Sequence, residues 1–163
     1  MIKVFSLSRV LVLVMAFILA ACGAIDNNKN NENITEGDVT VRNQELVKIK
    51  LTFNNEEVIV NMYENPTSKD FLTLLPLTLT LEDYAATEKI SYLDRKLSTK
   101  DAPSGTNGSV GDFTYYSPWG NLAIFYKDFG HANGHISIGK IESGVEKLKS
   151  INGKFTVTIE KME

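Results

Sequence analysis

The sequence predicts a mainly β fold of about eight strands and two short helices. Three observations carry this. Residues 75–84, LPLTLTLEDY, place Leu at every second position and Thr between, the pattern of a half-buried strand. Seven further stretches have strand character, most of them alternating apolar and polar residues in the same way. Only two stretches have their apolar residues at helical spacing. Eight strands suit a closed barrel whose interior side chains just fill it, and closure removes exposed edges. The periodicity alone also suits a sandwich.

Taken in order, residues 45–53 (ELVKIKLTF) set Val47, Ile49, Leu51 and Phe53 against Lys48, Lys50 and Thr52. Asn54 and Asn55 follow, and Asn tolerates the left-handed backbone of a tight hairpin. Residues 57–63 return as a second strand. In NPTSKDFLTLLP, Thr67 is the expected helix cap, and Asp70 favours the positive end of the helix. Phe71, Leu74 and Leu75 share one face, and Pro76 ends the helix. The Leu/Thr strand begins there, its leucines toward a core and its threonines away from it. Residues 89–93, 113–116 and 121–126 are further strands. The run LAIFY within the last is apolar throughout, as befits a strand covered on both faces. Residues 135–141 make a seventh strand. Residues 144–151 make a second helix, with Ser143 as its expected cap and Val145, Leu148 and Ile151 on one face. Residues 154–161 close the chain. The stretch 98–109, rich in Gly, Asn and Ser, reads as a loop.

Residues 1–21 read as a lipoprotein signal peptide. Lys3 and Arg9 precede a ten-residue apolar run, which ends in Leu-Ala-Ala-Cys. That ending is similar to a bacterial lipobox and makes Cys22 the expected lipidation site. Residues 22–40 are Asn-rich and read as a flexible tether. Residues 41–163 form the expected folded domain. The expected location is the cell envelope, anchored by lipid on the extracytoplasmic side of a membrane. Processing would remove Lys3 and Arg9 from the 17 basic residues and none of the 20 acidic ones, leaving a balance of −5. That balance disfavours nucleic acid as a partner.

Cys22 is the only cysteine, so no internal disulfide or Cys-based centre is expected. There is no Gly-x-Ser-x-Gly motif and no glycine-rich phosphate loop. His131 and His135 lie four apart in a loop rather than on a helix, so neither a metal site nor a cofactor is expected. Glu82 and Asp83 are strand neighbours pointing to opposite faces, a poor acid–base pair. The aromatic density of Phe113, Tyr115, Tyr116, Trp119, Phe125 and Tyr126 is divided between packing and binding.

The segment Gly134-His-Ile-Ser-Ile-Gly-Lys-Ile-Glu-Ser-Gly144 resembles a cyclophilin segment, and Pro66–Phe71 resembles the start of the first cyclophilin helix. The order hairpin, helix, strands, loop, strands, helix, strand agrees over residues 45–161. NPTSKDFLTLLPLTLTLEDY and GDFTYYSPWGNLAIFY look more like the bacterial cyclophilin-like family than true cyclophilins. The resemblance implies a closed eight-stranded cyclophilin-like β-barrel.

Cyclophilins are peptidyl-prolyl isomerases, which lower a rotation barrier of ~20 kcal/mol by preferring the twisted amide. Carried over, the resemblance implies Phe125 as the floor of a proline pocket, His135 at its edge and Arg95 as the backbone-polarising donor. Tyr115, Tyr116, Trp119 and Phe129 are the expected substrate-binding aromatics. Ala123 stands where true cyclophilins carry a Gln, and no Phe-His-Arg triplet is present. The expectation is binding of a proline-containing peptide or unfolded segment, with weak or no isomerase activity. The alternatives are a working isomerase for exported proteins and a small-molecule or oligosaccharide binding module.

Overall fold

The structure, a computed structural model, describes residues 46–163. The expected signal peptide, Cys22 and the tether lie outside the described residues. Ten strands form: β1 Lys48–Phe53, β2 Glu56–Met62, β3 Leu77–Tyr84, β4 Glu88–Tyr92, β5 Gly105–Gly108, β6 Asp112–Tyr116, β7 Asn121–Phe125, β8 Gly130–Asn133, β9 His135–Ser143 and β10 Phe155–Lys161. Helix α1 spans Pro66–Leu72 and α2 spans Val145–Ser150.

Eight of the strands close a barrel in the order β1-β10-β3-β4-β7-β6-β9-β2. The two remaining strands, β5 and β8, pair only with each other. Closure therefore decides between barrel and sandwich, as periodicity did not. The small ribbon falls where the sequence suggests loops. Its four-residue strands, GTNG and GHAN, carry no apolar alternation.

The alternating residues fill the barrel. Ile49, Leu51, Val58, Val60, Val157 and Ile159 are fully buried. Cross-strand register puts Leu77, Leu79 and Leu81 opposite Ile159, Val157 and Phe155, so the leucines of the Leu/Thr strand share the inner face. Burial is graded along it. Leu81 is fully buried, while Leu75, Leu77 and Leu79 are partly buried against the core. Thr78 and Thr80 are exposed. The helices add Phe71 and Leu148 to the same core, with Phe71 packing edge-on against Phe113 at 5.5 Å.

Both expected helix caps are displaced. Asn65, not Thr67, caps α1: its side chain accepts from the Ser68 N–H, and Pro66 follows at the first helical position. Thr67 is already inside the helix and donates its hydroxyl to the Ser98 carbonyl. Ser143 ends β9, and the residue before α2 is Gly144 at φ 93°. A Cβ there would meet the Glu57 carbonyl at 2.8 Å, so the close approach of two strands excludes a capping side chain.

Candidate functional site

The strands β4, β7 and β6 are neighbours in the barrel, and their outward residues form one face. Glu88 and Ile90 of β4 stand beside Phe125 and Ala123 of β7, with Thr114 and Tyr116 of β6 and His135 of β9 completing the row. The β5–β8 ribbon lies over this face. Gly108 makes the fit possible, because a Cβ there would sit 2.9 Å from the Phe125 ring. Phe129 N–H to the Gly108 carbonyl (2.8 Å) and Gly134 N–H to the Ser104 carbonyl (2.8 Å) extend the ribbon's own ladder at its two ends, and Ser137 Oγ of β9 ties it to the barrel at Thr106 Oγ1 (3.2 Å).

Between sheet and ribbon runs a cleft of about 310 Å³. The sheet side supplies Glu88, Ile90, Asn121 and His135. Aromatic walls come from Tyr84, Tyr116, Trp119 and Phe129. Trp119 packs edge-on against both Tyr84 (5.5 Å, 89°) and Tyr116 (5.3 Å, 81°). Tyr84, Trp119 and Phe129 are substantially exposed.

His135 is buried in this row, and burial lowers its pKa. Its Nδ1 lies 3.1 Å from Thr114 Oγ1, whose single proton goes to the Ala123 carbonyl at 3.0 Å. The Nδ1 nitrogen must therefore carry the proton, and the neutral ring keeps Nε2 as an acceptor. The ring stacks on Tyr116 at 4.6 Å and meets Phe125 at 5.4 Å.

Two polar atoms of the cleft residues lack partners. Glu88 Oε2 and Asn121 Oδ1 are buried without a hydrogen bond, while the Asn121 amide nitrogen donates to the Leu122 carbonyl. Burial pushes the Glu88 pKa up to about 7. Neither Glu88 nor Tyr84 stands out in sequence. The signal is geometric: a tight turn joins β3 to β4, Thr87 N–H bonding the Tyr84 carbonyl at 3.1 Å, and register sets Tyr84 opposite Glu88. Reading that turn as a hairpin places both side chains on one face.

The expected site residues separate. Tyr116, Trp119, Phe129 and His135 meet in the cleft. Tyr115 does not: it points into the barrel, fully buried, and its hydroxyl accepts the Leu97 N–H at 3.1 Å. Strand alternation next to outward-facing Tyr116 requires this. Phe125 faces outward as expected, but the ribbon covers it to 1% exposure, so it is a packing floor rather than an open pocket.

Arg95 does not line the cleft. Its guanidinium makes a two-pronged pair with Asp70 of α1 (2.7 and 3.0 Å) and donates to Thr73 Oγ1 (3.1 Å). That hydrogen bond, with Ser98 N–H, holds the Asp70 carboxyl below its ordinary range despite partial burial. Thus Asp70, expected to favour the helix end, braces the loop after β4 onto α1. No group of three His, Cys, Asp or Glu side chains is arranged to hold a metal among the described residues.

A search of curated proteins returns no match. Among solved structures, the fold is similar to the solution structure of a hypothetical protein from Archaeoglobus fulgidus. The two share 18% identity and a TM-score of 0.57, over 72% of this chain and 95% of that one. The likeness is one of fold. A sequence model of the Cyclophilin-like family matches residues 51–160, nearly the whole barrel. By that match and by the closed barrel with its two helices, the chain belongs to the Cyclophilin-like family.

Proposed function

We propose that this protein is a binding member of its family, holding a proline-containing peptide or unfolded segment in the cleft without appreciable isomerase turnover. One observation carries the reading: the cleft is walled by Tyr84, Tyr116 and Trp119 and lined by no guanidinium. Aromatic grooves suit extended proline-rich segments, whose rings lie on them at little entropic cost. The free Asn121 Oδ1 is an acceptor for a peptide N–H. Isomerisation additionally needs a donor that stabilises the twisted amide. Arg95 is committed to Asp70, and Phe125 is covered.

The test pairs a cis–trans exchange assay on an Ala-Pro peptide with an NMR titration of the same peptide. Saturable shifts at the Trp119 indole without turnover are expected, and Trp119→Ala should weaken binding at least about tenfold. Turnover abolished by Arg95→Ala would overturn the reading in favour of an isomerase. The modest size of the cleft also favours a small-molecule ligand in the same place, for which peptides would fail to compete.

Anchoring at the membrane through a lipid on Cys22 completes the proposal. Cys22→Ser should leave an unprocessed precursor or release the protein to the soluble fraction.

A further inference from the structure

The cleft contains a carboxyl group that peptide binding alone does not explain. Glu88 is 8% exposed, and its Oε2 has no hydrogen-bond partner. None of the described ion pairs includes it, and no Lys or Arg lines the cleft. The second unpartnered atom, Asn121 Oδ1, is also an acceptor. A buried carboxylate without a cation is costly, and fold stability alone would favour an apolar residue there. Its pKa, raised by burial, expresses that cost.

The surrounding rings supply the complementary half of a site. Tyr84 stands directly across the hairpin from Glu88. Trp119 meets Tyr84 at 89° and Tyr116 at 81°, so the indole stands across the planes of both tyrosines, and all three rings line the cavity that Glu88 borders. The face of each ring is electron-rich and attracts a weakly hydrated cation. A hard metal ion would find one carboxylate and one amide oxygen, too few oxygen ligands for calcium or magnesium.

We propose that the cleft recognises an organic ammonium group, seated among Tyr84, Tyr116 and Trp119 with Glu88 as its counter-ion. The inference rests on the reading of the cleft as the binding site and names the chemistry it selects. The group could belong to a free quaternary amine or to a lysine or methyl-lysine side chain of a bound segment.

Trp119 is the only tryptophan of the chain, so its fluorescence reports on the cleft directly. The full chain is titrated with choline, with Nα-acetyl-lysine amide and with its trimethylated form, which separate the two sources. The neutral controls are 3,3-dimethylbutan-1-ol, the uncharged isostere of choline, and a peptide capped at both ends and free of charge, acetyl-Ala-Pro-amide. At least one ammonium probe should saturate the Trp119 signal, and choline, if it is that probe, should bind about tenfold or more tighter than its isostere. Glu88→Gln, nearly isosteric, should weaken the ammonium probe about tenfold while leaving acetyl-Ala-Pro-amide nearly unchanged. Tyr84→Leu, at an exposed position, should weaken it independently.

Equal binding of choline and its isostere, or an ammonium affinity unmoved by Glu88→Gln, overturns the proposal. Binding of acetyl-Ala-Pro-amide without any ammonium probe overturns it too, and leaves the peptide reading standing. No response of Trp119 to any probe defeats both.

Discussion

Glu88 and Lys89 are consecutive residues of β4, both ionisable and both buried, yet their surroundings are opposite. Lys89 points into the barrel with no exposed surface. Its ammonium pairs with Asp83 at 2.7 Å, donates to the Ile151 carbonyl and lies over the rings of Tyr126 and Phe155. Tyr126 donates to the same Asp83 carboxylate at 2.8 Å. Burial raises the Tyr126 pKa to about 12, helped by Asp83. Burial alone would raise Asp83 too, but its bonds to Lys89 and Tyr126 outweigh that and hold it below the ordinary carboxylate value. Glu88 points outward into the cleft and has neither cation nor donor for Oε2. The inner charge is compensated by the fold itself. The outer one has no such partner for Oε2, and that asymmetry is what the proposed ammonium site would use.

The contrast breaks most visibly on the inside. Asp83→Ala should cost about 3 kcal/mol by orphaning the buried ammonium. Urea unfolding measures it, and adding Lys89→Met should recover most of the loss. If the double variant is no more stable than Asp83→Ala, the cost is not that of an orphaned charge.

A smaller effect of opposite sign is expected outside. Because the folded pKa of Glu88 lies above its usual 4.5, the folded state holds that proton more tightly than the unfolded chain. Stability from this group is complete below about pH 4.5 and declines as pH rises through 7. His135, kept neutral by burial, and His131 face the same cleft. Glu88→Gln should therefore stabilise the protein by about 1–3 kcal/mol at pH 8 and much less at pH 5. Thermal melts across that range decide it; parallel curves for wild type and variant would show that Glu88 is not raised. Asp83, with its lowered pKa, runs the other way, and its contribution disappears only in more acidic solution.

The smallest effect concerns the turn that sets Tyr84 against Glu88. Ala85 and Ala86 both occupy the left-handed region, at φ 50° and 53°. Hairpin turns of this hand favour Asn and Gly, and a non-glycine residue held there is strained. Ala86→Gly should stabilise the fold by about 0.5–1 kcal/mol in chemical denaturation. A loss of stability would mean that the turn is not strained.

The sequence by itself determined the eight strands, the two helices and, in the strands that alternate cleanly such as β1, β3 and β10, which residues face inward. These follow from local alternation, since neighbouring side chains of a strand must point to opposite faces. It also marked Tyr116, Trp119, Phe129 and His135, which do meet in one cleft. Only the tertiary structure decided the rest. The ribbon strands carry no apolar period, so their pairing over Phe125 is set by contacts distant in sequence, such as Gly108 on that ring. The partner of Arg95 is 25 residues away on α1, and no local pattern announces it. Tyr115 and Tyr116 look equivalent in sequence, yet barrel closure buries one and turns the other to the cleft. Glu88 became visible last, because an unpartnered charge is defined by what surrounds it in space, and sequence neighbours do not supply those surroundings.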